Sequence, residues 1–177
     1  MTAKLRATAA TLCYQVIDQG KSLSDVLPKA QQQFSNPADK ALLAELCFGV
    51  MRYLPQLDFV AQQLMSKPLV KDYRPLQHLI YLGLYQLQHM RIPDHAAVGE
   101  TVEAARQLKG QNLTKLINAV LRQFQRKPEL AEFAAAPLPV QTNHPLAETL
   151  RFSLLFDLDL PKKEESVTDK AEGPGAE

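Results

Sequence analysis

Residues 75–90 read Pro75-Leu76-Gln77-His78-Leu79-Ile80-Tyr81-Leu82-Gly83-Leu84-Tyr85-Gln86-Leu87-Gln88-His89-Met90. A proline opens the run, where a missing N–H costs nothing at the first helical position. Leu76, Leu79, Ile80, Tyr81, Leu82, Leu84, Tyr85, Leu87 and Met90 then clothe nearly the whole circumference of the helix that follows. A helix apolar all round has no side to show to water, so it belongs at the centre of a bundle. The rest of the chain must supply the helices that surround it.

Working outward, each neighbouring segment carries the 3.6-residue period and ends on its own punctuation. Upstream, a first helix is predicted over Leu5 to Gln19, closed by Gly20, and a second over Asp25 to Phe34, with Ser22 or Ser24 as cap and Pro28 in its first turn. Asn36-Pro37 opens a third through Leu54, and Pro55 is read as the start of a fourth, which ends at the joint Ser66 to Asp72. Downstream, Asp94 is placed to cap a sixth helix, His95 to Leu108, and Lys109-Gly110 ends it. A seventh runs from Gln111 or Asn112 to Arg126. Sustained period-two alternation and Asn-Gly hairpin signals are absent, so the prediction is all-α, about seven helices in two halves packed through the fifth.

The 177 residues carry a net charge of +1, which excludes a uniformly polybasic binder. The charge is divided unevenly, about +5 over residues 1–132 and −4 over 133–177. The expected organisation is a basic helical body over 1–130, then a linker and a disordered acidic tail over 131–177, where Pro137, Pro139, Pro145, Pro161 and Pro174 fall. An apolar island, Leu150 to Phe156, interrupts that tail. No apolar run reaches the ~20 residues of a membrane helix, and the first residues lack a secretory core, so a cytoplasmic location without membrane attachment is expected. Tryptophan is absent and aromatic residues make up 7%, which argues against a base-stacking platform.

The seventh helix carries the most informative pattern. Leu113, Leu116, Ile117, Val120, Leu121 and Phe124 form one stripe, and Lys115, Arg122 and Arg126 gather on the opposite face within about 40° at ~100° per residue. Asn118 lies beside them. Aligned cations without interposed acid can track phosphates, although a merely solvated charged face has the same spacing. Arg91, Lys109, the joint's Lys67, Lys71 and Arg74, and Lys4 and Arg6 at the start complete the basic inventory. Cys13 and Cys47 sit in apolar helical contexts with no adjacent base to activate them, so they read as inert thiols. His78, His89, His95 and His144 show no ligand spacing, and neither a metal site nor a phosphate-binding glycine loop is expected.

Three runs resemble a known family. Ala44-Glu45-Leu46-Cys47-Phe48-Gly49-Val50-Met51-Arg52 is similar to the third helix of the NusB-like domain that precedes the catalytic domain in bacterial small-subunit rRNA 5-methylcytosine methyltransferases, the RsmB/Sun/Fmu family. Leu84-Tyr85-Gln86-Leu87, then Arg91-Ile92-Pro93-Asp94-His95-Ala96-Ala97-Val98 with Glu100-Thr101-Val102-Glu103, resembles that domain's fifth-to-sixth helix passage. Leu116-Ile117-Asn118-Ala119-Val120-Leu121-Arg122 resembles its last-helix signature. Together these cover about residues 5–130 in the family's order.

The resemblance implies a NusB-like helical bundle that binds RNA, small-subunit rRNA in particular, with docking to a methyltransferase domain as a second contact. The family continues after a His-Pro, matched here by His144-Pro145, into a domain that binds S-adenosylmethionine and carries catalytic cysteines in Pro-Cys and Thr-Cys-Ser motifs. Neither motif occurs in these 177 residues. The expectation is therefore rRNA positioning with no cofactor and no catalysis by this chain. The alternative is a free-standing NusB-like transcription antitermination factor that works by protein interaction.

Overall fold

The computed structural model describes residues 2–135, and everything within them that is regular is helical. The helices are α1 (Thr2–Ile17), α2 (Leu23–Gln31), α3 (Pro37–Leu64), α4 (Arg74–His89), α5 (Asp94–Gln107), α6 (Thr114–Arg126) and α7 (Pro128–Ala135). Single 3-10 turns, Lys71–Tyr73 and Gln111–Leu113, lead into α4 and α6. The predicted tail with its apolar island and His144-Pro145 lies outside the described residues.

The all-α prediction holds, but its count is reached differently. Pro55 does not start a helix. It sits inside α3, which runs 28 residues without a break. Proline cannot donate to the carbonyl four residues before it, yet Leu43, Leu46, Val50, Leu54, Leu57, Val60 and Ala61 continue one buried stripe straight across position 55. Burying that stripe on both sides of the proline outweighs one lost backbone bond. The seventh helix is instead α7, which crosses residue 130 and places Leu130 in the core at 7% exposure.

Three smaller features also depart from expectation. Pro28 lies in the second turn of α2, because that helix begins two residues early at Leu23. Ser22 holds the cap position, but its hydroxyl pairs with Ser24 Oγ at 2.7 Å rather than with a backbone N–H. Asp94 is the first helical residue of α5, not its cap. Pro93 takes the cap position, and the Asp94 carboxylate accepts from Gln125 Nε2 on α6 at 3.1 Å. Asn36 does cap α3, its side chain accepting from Ala38 N at 2.9 Å with Pro37 next in line. Gly20 takes φ +71°, the left-handed turn that ends α1.

α4 is the central helix. Every residue from Leu76 to Gln86 is buried, and α1, α3, α5, α6 and α7 all lie against it. α1 also touches α3 and α5, so the two halves interlock around α4 and share one continuous core. Three close approaches make this density possible. A Cβ on Gly49 would stand 2.1 Å from the Tyr85 ring, one on Gly83 2.7 Å from Leu121, and one on Gly110 2.7 Å from Leu76.

Candidate nucleic-acid interface

α6 carries most of the predicted apolar stripe, with Leu116 half-buried and Leu113 in the turn before it. Ile117, Val120, Leu121 and Phe124 are buried against the core, while Lys115, Asn118, Arg122 and Arg126 are exposed on the other side. Among the described residues none of the three cations has a carboxylate within 4 Å. Arg122 donates to Gln125 Oε1 at a long 3.5 Å, and Gln125 in turn reaches Asp94. Lys115 and Arg126 have no hydrogen-bond or ion-pair partner among the described residues. The Asn118 side chain is exposed and has no hydrogen bond among the described residues.

The remaining cations divide by what they touch. Arg91, Lys67, Lys71 and Lys109 are exposed, and Lys71 and Lys109 occupy left-handed backbone positions at φ 55° and 58°. Lys4 is exposed at the start of α1, its Nζ 5.6 Å from the centre of the Phe34 ring.

Arg6 is a correction. It is 3% exposed and donates from Nε to Gln86 Oε1 at 2.7 Å, while Gln86 Nε2 donates to Thr101 Oγ1 at 3.0 Å. Burial lowers its pKa, and the nearby Glu100 partly offsets that. Arg6 shares the α1 face of Ala10 and Cys13, one and two turns on, and that face points into the bundle. A side chain so placed ties α1 to α4 and does not meet a phosphate.

Arg74 is half-buried and engaged within the protein. Its Nε and Nη2 donate to Asp18 at 2.7 and 3.2 Å, and Nη1 donates to the Leu69 carbonyl at 3.2 Å. The hydrogen bond to Asp18 raises its pKa against the opposing effect of burial. Asp18 also accepts from the fully buried His78, Nε2 to Oδ1 3.1 Å. Burial works to raise the Asp18 carboxyl, but the His78 and Arg74 hydrogen bonds outweigh it and hold the group well below the ordinary carboxylate range. Burial lowers the His78 pKa, despite the Asp18 contact that works to raise it. This cluster joins the end of α1 to the start of α4, and Tyr81, hydrogen-bonded to Asp58, extends it to α3.

Cys13 and Cys47 are both fully buried, and the Cys47 thiol is pushed well up by its contact with Cys13 and by burial. Such thiols are poor nucleophiles. No group of His, Cys, Asp or Glu among the described residues is arranged to hold a metal, and no described helix is long and apolar enough to cross a membrane. Lys21 and Lys29, which helical stripes do not bring out, are exposed, one before α2 and the other in its last turn. Lys21 stands alone in a loop and Lys29 in a short helix, so neither shows a pattern in sequence.

The sequence model of the NusB family matches residues 3–126. A Vibrio vulnificus (strain YJ016) protein named ribosomal RNA small subunit methyltransferase B is 55% identical over 142 residues, covering 80% of this chain and 33% of that protein. Its namesake from Vibrio cholerae serotype O1 is 58% identical over 125 residues, 71% of this chain and 29% of the relative. That from Escherichia coli O9:H4 (strain HS) is 54% identical over 134 residues, 75% and 31%. The chain thus spans about a third of the length of the relatives it matches.

Proposed function

Because the chain belongs to the NusB family, we propose that it is the RNA-positioning domain of a small-subunit rRNA methyltransferase that makes 5-methylcytosine. The observation that carries this reading is the 55% identity over 142 residues to a protein named ribosomal RNA small subunit methyltransferase B. The exposed cations of α6 supply a physical means. Lys115, Arg122 and Arg126 neutralise phosphates, which fixes register on the RNA without reading its bases.

The chemistry lies elsewhere. Methylation at a cytosine C5 needs a thiolate that adds to the ring and a methyl donor, S-adenosylmethionine in the family resembled. Cys13 and Cys47 are sealed in the core and cannot reach a base. Base reading, cofactor binding and methyl transfer therefore fall to the two-thirds of the relatives that this chain does not span.

The test is a fluorescence-anisotropy salt titration on a small-subunit rRNA hairpin, comparing wild type with the triple variant Lys115→Ala/Arg122→Ala/Arg126→Ala. Loss of three phosphate contacts flattens the slope of log affinity against log salt by about 2, at ~0.7 per single-strand contact. An unchanged slope with intact helicity would remove α6 from the interface. Absence of binding by wild type at low salt would overturn the RNA reading and favour a protein-docking domain.

A further inference from the structure

A cleft of about 540 Å³ lies between α3 and α4, beside the joint that connects them, within the ~300–1,000 Å³ of ordinary ligand sites. One wall is a single stripe of α3, whose residues Leu54, Asp58, Ala61 and Met65 recur three or four apart. The other is a stripe of α4 that carries Arg74, Gln77, His78 and Tyr81. Ser66, Lys67 and Pro68 of the joint are exposed and form its rim.

The walls carry hydrogen-bonding capacity that the bundle does not use up. Asp58 accepts from the Tyr81 hydroxyl with one carboxylate oxygen and from Gln62 Nε2 with the other. A carboxylate has about four acceptor sites, so each oxygen keeps one. Gln77 is 1% exposed, and its Oε1 accepts from Leu69 N at 2.9 Å, which fixes the amide. Its Nε2 donates one hydrogen to Tyr81 Oη at 3.2 Å and keeps the other. His78 is fully buried, and its Nε2 faces Asp18, so Nδ1 is the acceptor of the neutral ring. That atom is buried with no hydrogen-bond partner among the described residues. A buried polar atom so left calls for a donor from whatever enters the cleft.

We propose that this cleft binds a free guanine mononucleotide, a site independent of the RNA contacts of α6. Asp58 offers two acceptors side by side, and a carboxylate so placed takes two parallel N–H donors. Guanine alone among the four bases sets two donors side by side on its pairing edge, N1–H and N2–H. Adenine and cytosine put a donor next to an acceptor there, and uracil flanks one donor with two carbonyls. The spare Gln77 hydrogen suits a base carbonyl, and His78 Nδ1 suits a ribose hydroxyl. Leu54, Ala61, Met65 and Pro68 give the flat base apolar surface. Arg74 is held by Asp18, so Lys67 at the rim provides for one phosphate group, as a mononucleotide needs and a strand exceeds. A charged amine could satisfy the same acceptors, but Lys67 and Arg74 on the same walls oppose it.

The experiment is isothermal titration of the full chain with GMP, AMP, CMP, UMP and guanosine at pH 8, above the free imidazole value of about 6.5. GMP is expected to bind at least tenfold tighter than the other three nucleotides, and several-fold tighter than guanosine. Lys67→Ala, at an exposed position, should erase the preference for GMP over guanosine and keep that for guanine over adenine. Asp58→Asn exchanges one acceptor for a donor and should abolish the guanine preference. Asp58 also holds Tyr81 and Gln62, so Ser66→Trp, which obstructs the exposed rim, runs beside it and should weaken GMP at least tenfold with helicity unchanged. Equal affinity for the four nucleotides would overturn the site, as would no saturable binding of GMP at millimolar concentration. So would GMP binding that Lys67→Ala and Ser66→Trp both leave at the wild-type value. A guanosine-containing oligoribonucleotide that displaces GMP and binds tenfold tighter would overturn the free-nucleotide assignment. None of these outcomes changes the salt slope expected of the α6 variant, so the two readings fail separately.

Discussion

Gly49→Ala sets two known effects against each other at the α3–α4 crossing. In an exposed helix, replacing Gly by Ala is worth about 1 kcal/mol in favour of folding. Here the new Cβ would lie 2.1 Å from Tyr85 Cζ and 2.5 Å from both Cε atoms. Carbon atoms pack at ~3.5–4.0 Å, so the ring must retreat by roughly 1.5 Å. It has nowhere to go. Tyr85 is 7% exposed and packs against Tyr53 and His89, at 6.1 and 5.3 Å between ring centres. Overpacking of this kind costs about 1–3 kcal/mol, and disturbing the ring contacts adds ~0.5–1.5 kcal/mol. The clash wins, with a net loss of about 1–3 kcal/mol after helix propensity is credited. Urea unfolding should show a lower midpoint at unchanged m-value. In a Tyr85→Ala background the same substitution should become neutral or stabilising by up to ~1 kcal/mol, which a double-mutant cycle reads as strong coupling. A Gly49→Ala variant as stable as wild type would refute the reasoning, because it would mean that the ring does not lie across this glycine.

Acidification should destabilise the bundle in two stages. The pKa of His78 is lowered on folding, so the unfolded chain binds more protons once pH falls below the free value of about 6.5. The depressed Asp18 contributes its full stability above about 4 and loses it as pH falls through the folded value. Urea midpoints measured from pH 8 downward check this, and His78→Gln should shrink the first stage to the share of His89, whose pKa burial also lowers; a midpoint that rises between pH 7 and 5 would contradict the lowered histidine pKa values. Arg6→Met should cost about 1–3 kcal/mol by leaving the Gln86 carbonyl without its donor, while the salt slope of RNA binding stays as in wild type; a flatter slope without loss of stability would return Arg6 to the surface. Asn118→Ala, at an exposed position, should stay within ~0.5 kcal/mol of wild type in thermal unfolding. Cys13→Ser and Cys47→Ser should lower stability and leave RNA affinity unchanged, and methyl transfer by these 177 residues alone would overturn the assignment of chemistry to the part of the relatives that they do not span.

How far the fold is legible in the sequence depends on which kind of signal is read. Local punctuation works where one residue has one structural use. Asn36-Pro37 caps α3, and Gly20 turns the chain after α1. It fails at Pro55, where a breaker competes with a tertiary gain that the breaker itself does not show. The corrective signal was nevertheless present. The apolar spacing from Leu43 to Ala61 keeps its phase through the proline, whereas a new helix would start a new phase. α7 was not legible because eight residues beginning at a proline are too short a stretch to set a helical period.

The site divides along the same line. The α6 stripe was legible because one helix carries both the apolar face and its opposite, so each confirms the orientation of the other. Arg6 was misjudged by type, as a cation near a chain end, when its phase on α1 already set it with Ala10 and Cys13. The Arg74–Asp18 pair was not legible for another reason, since Asp18 lies 56 residues earlier and no local pattern joins them. The cleft between α3 and α4 poses the hardest case. Asp58, Lys67 and Gln77 belong to two helices and the joint between them, and they line one cleft only after α3 and α4 have packed. A cleft assembled from one or two polar residues per element leaves no trace in periodicity or local charge density, and it emerges only from the packing that α4 organises.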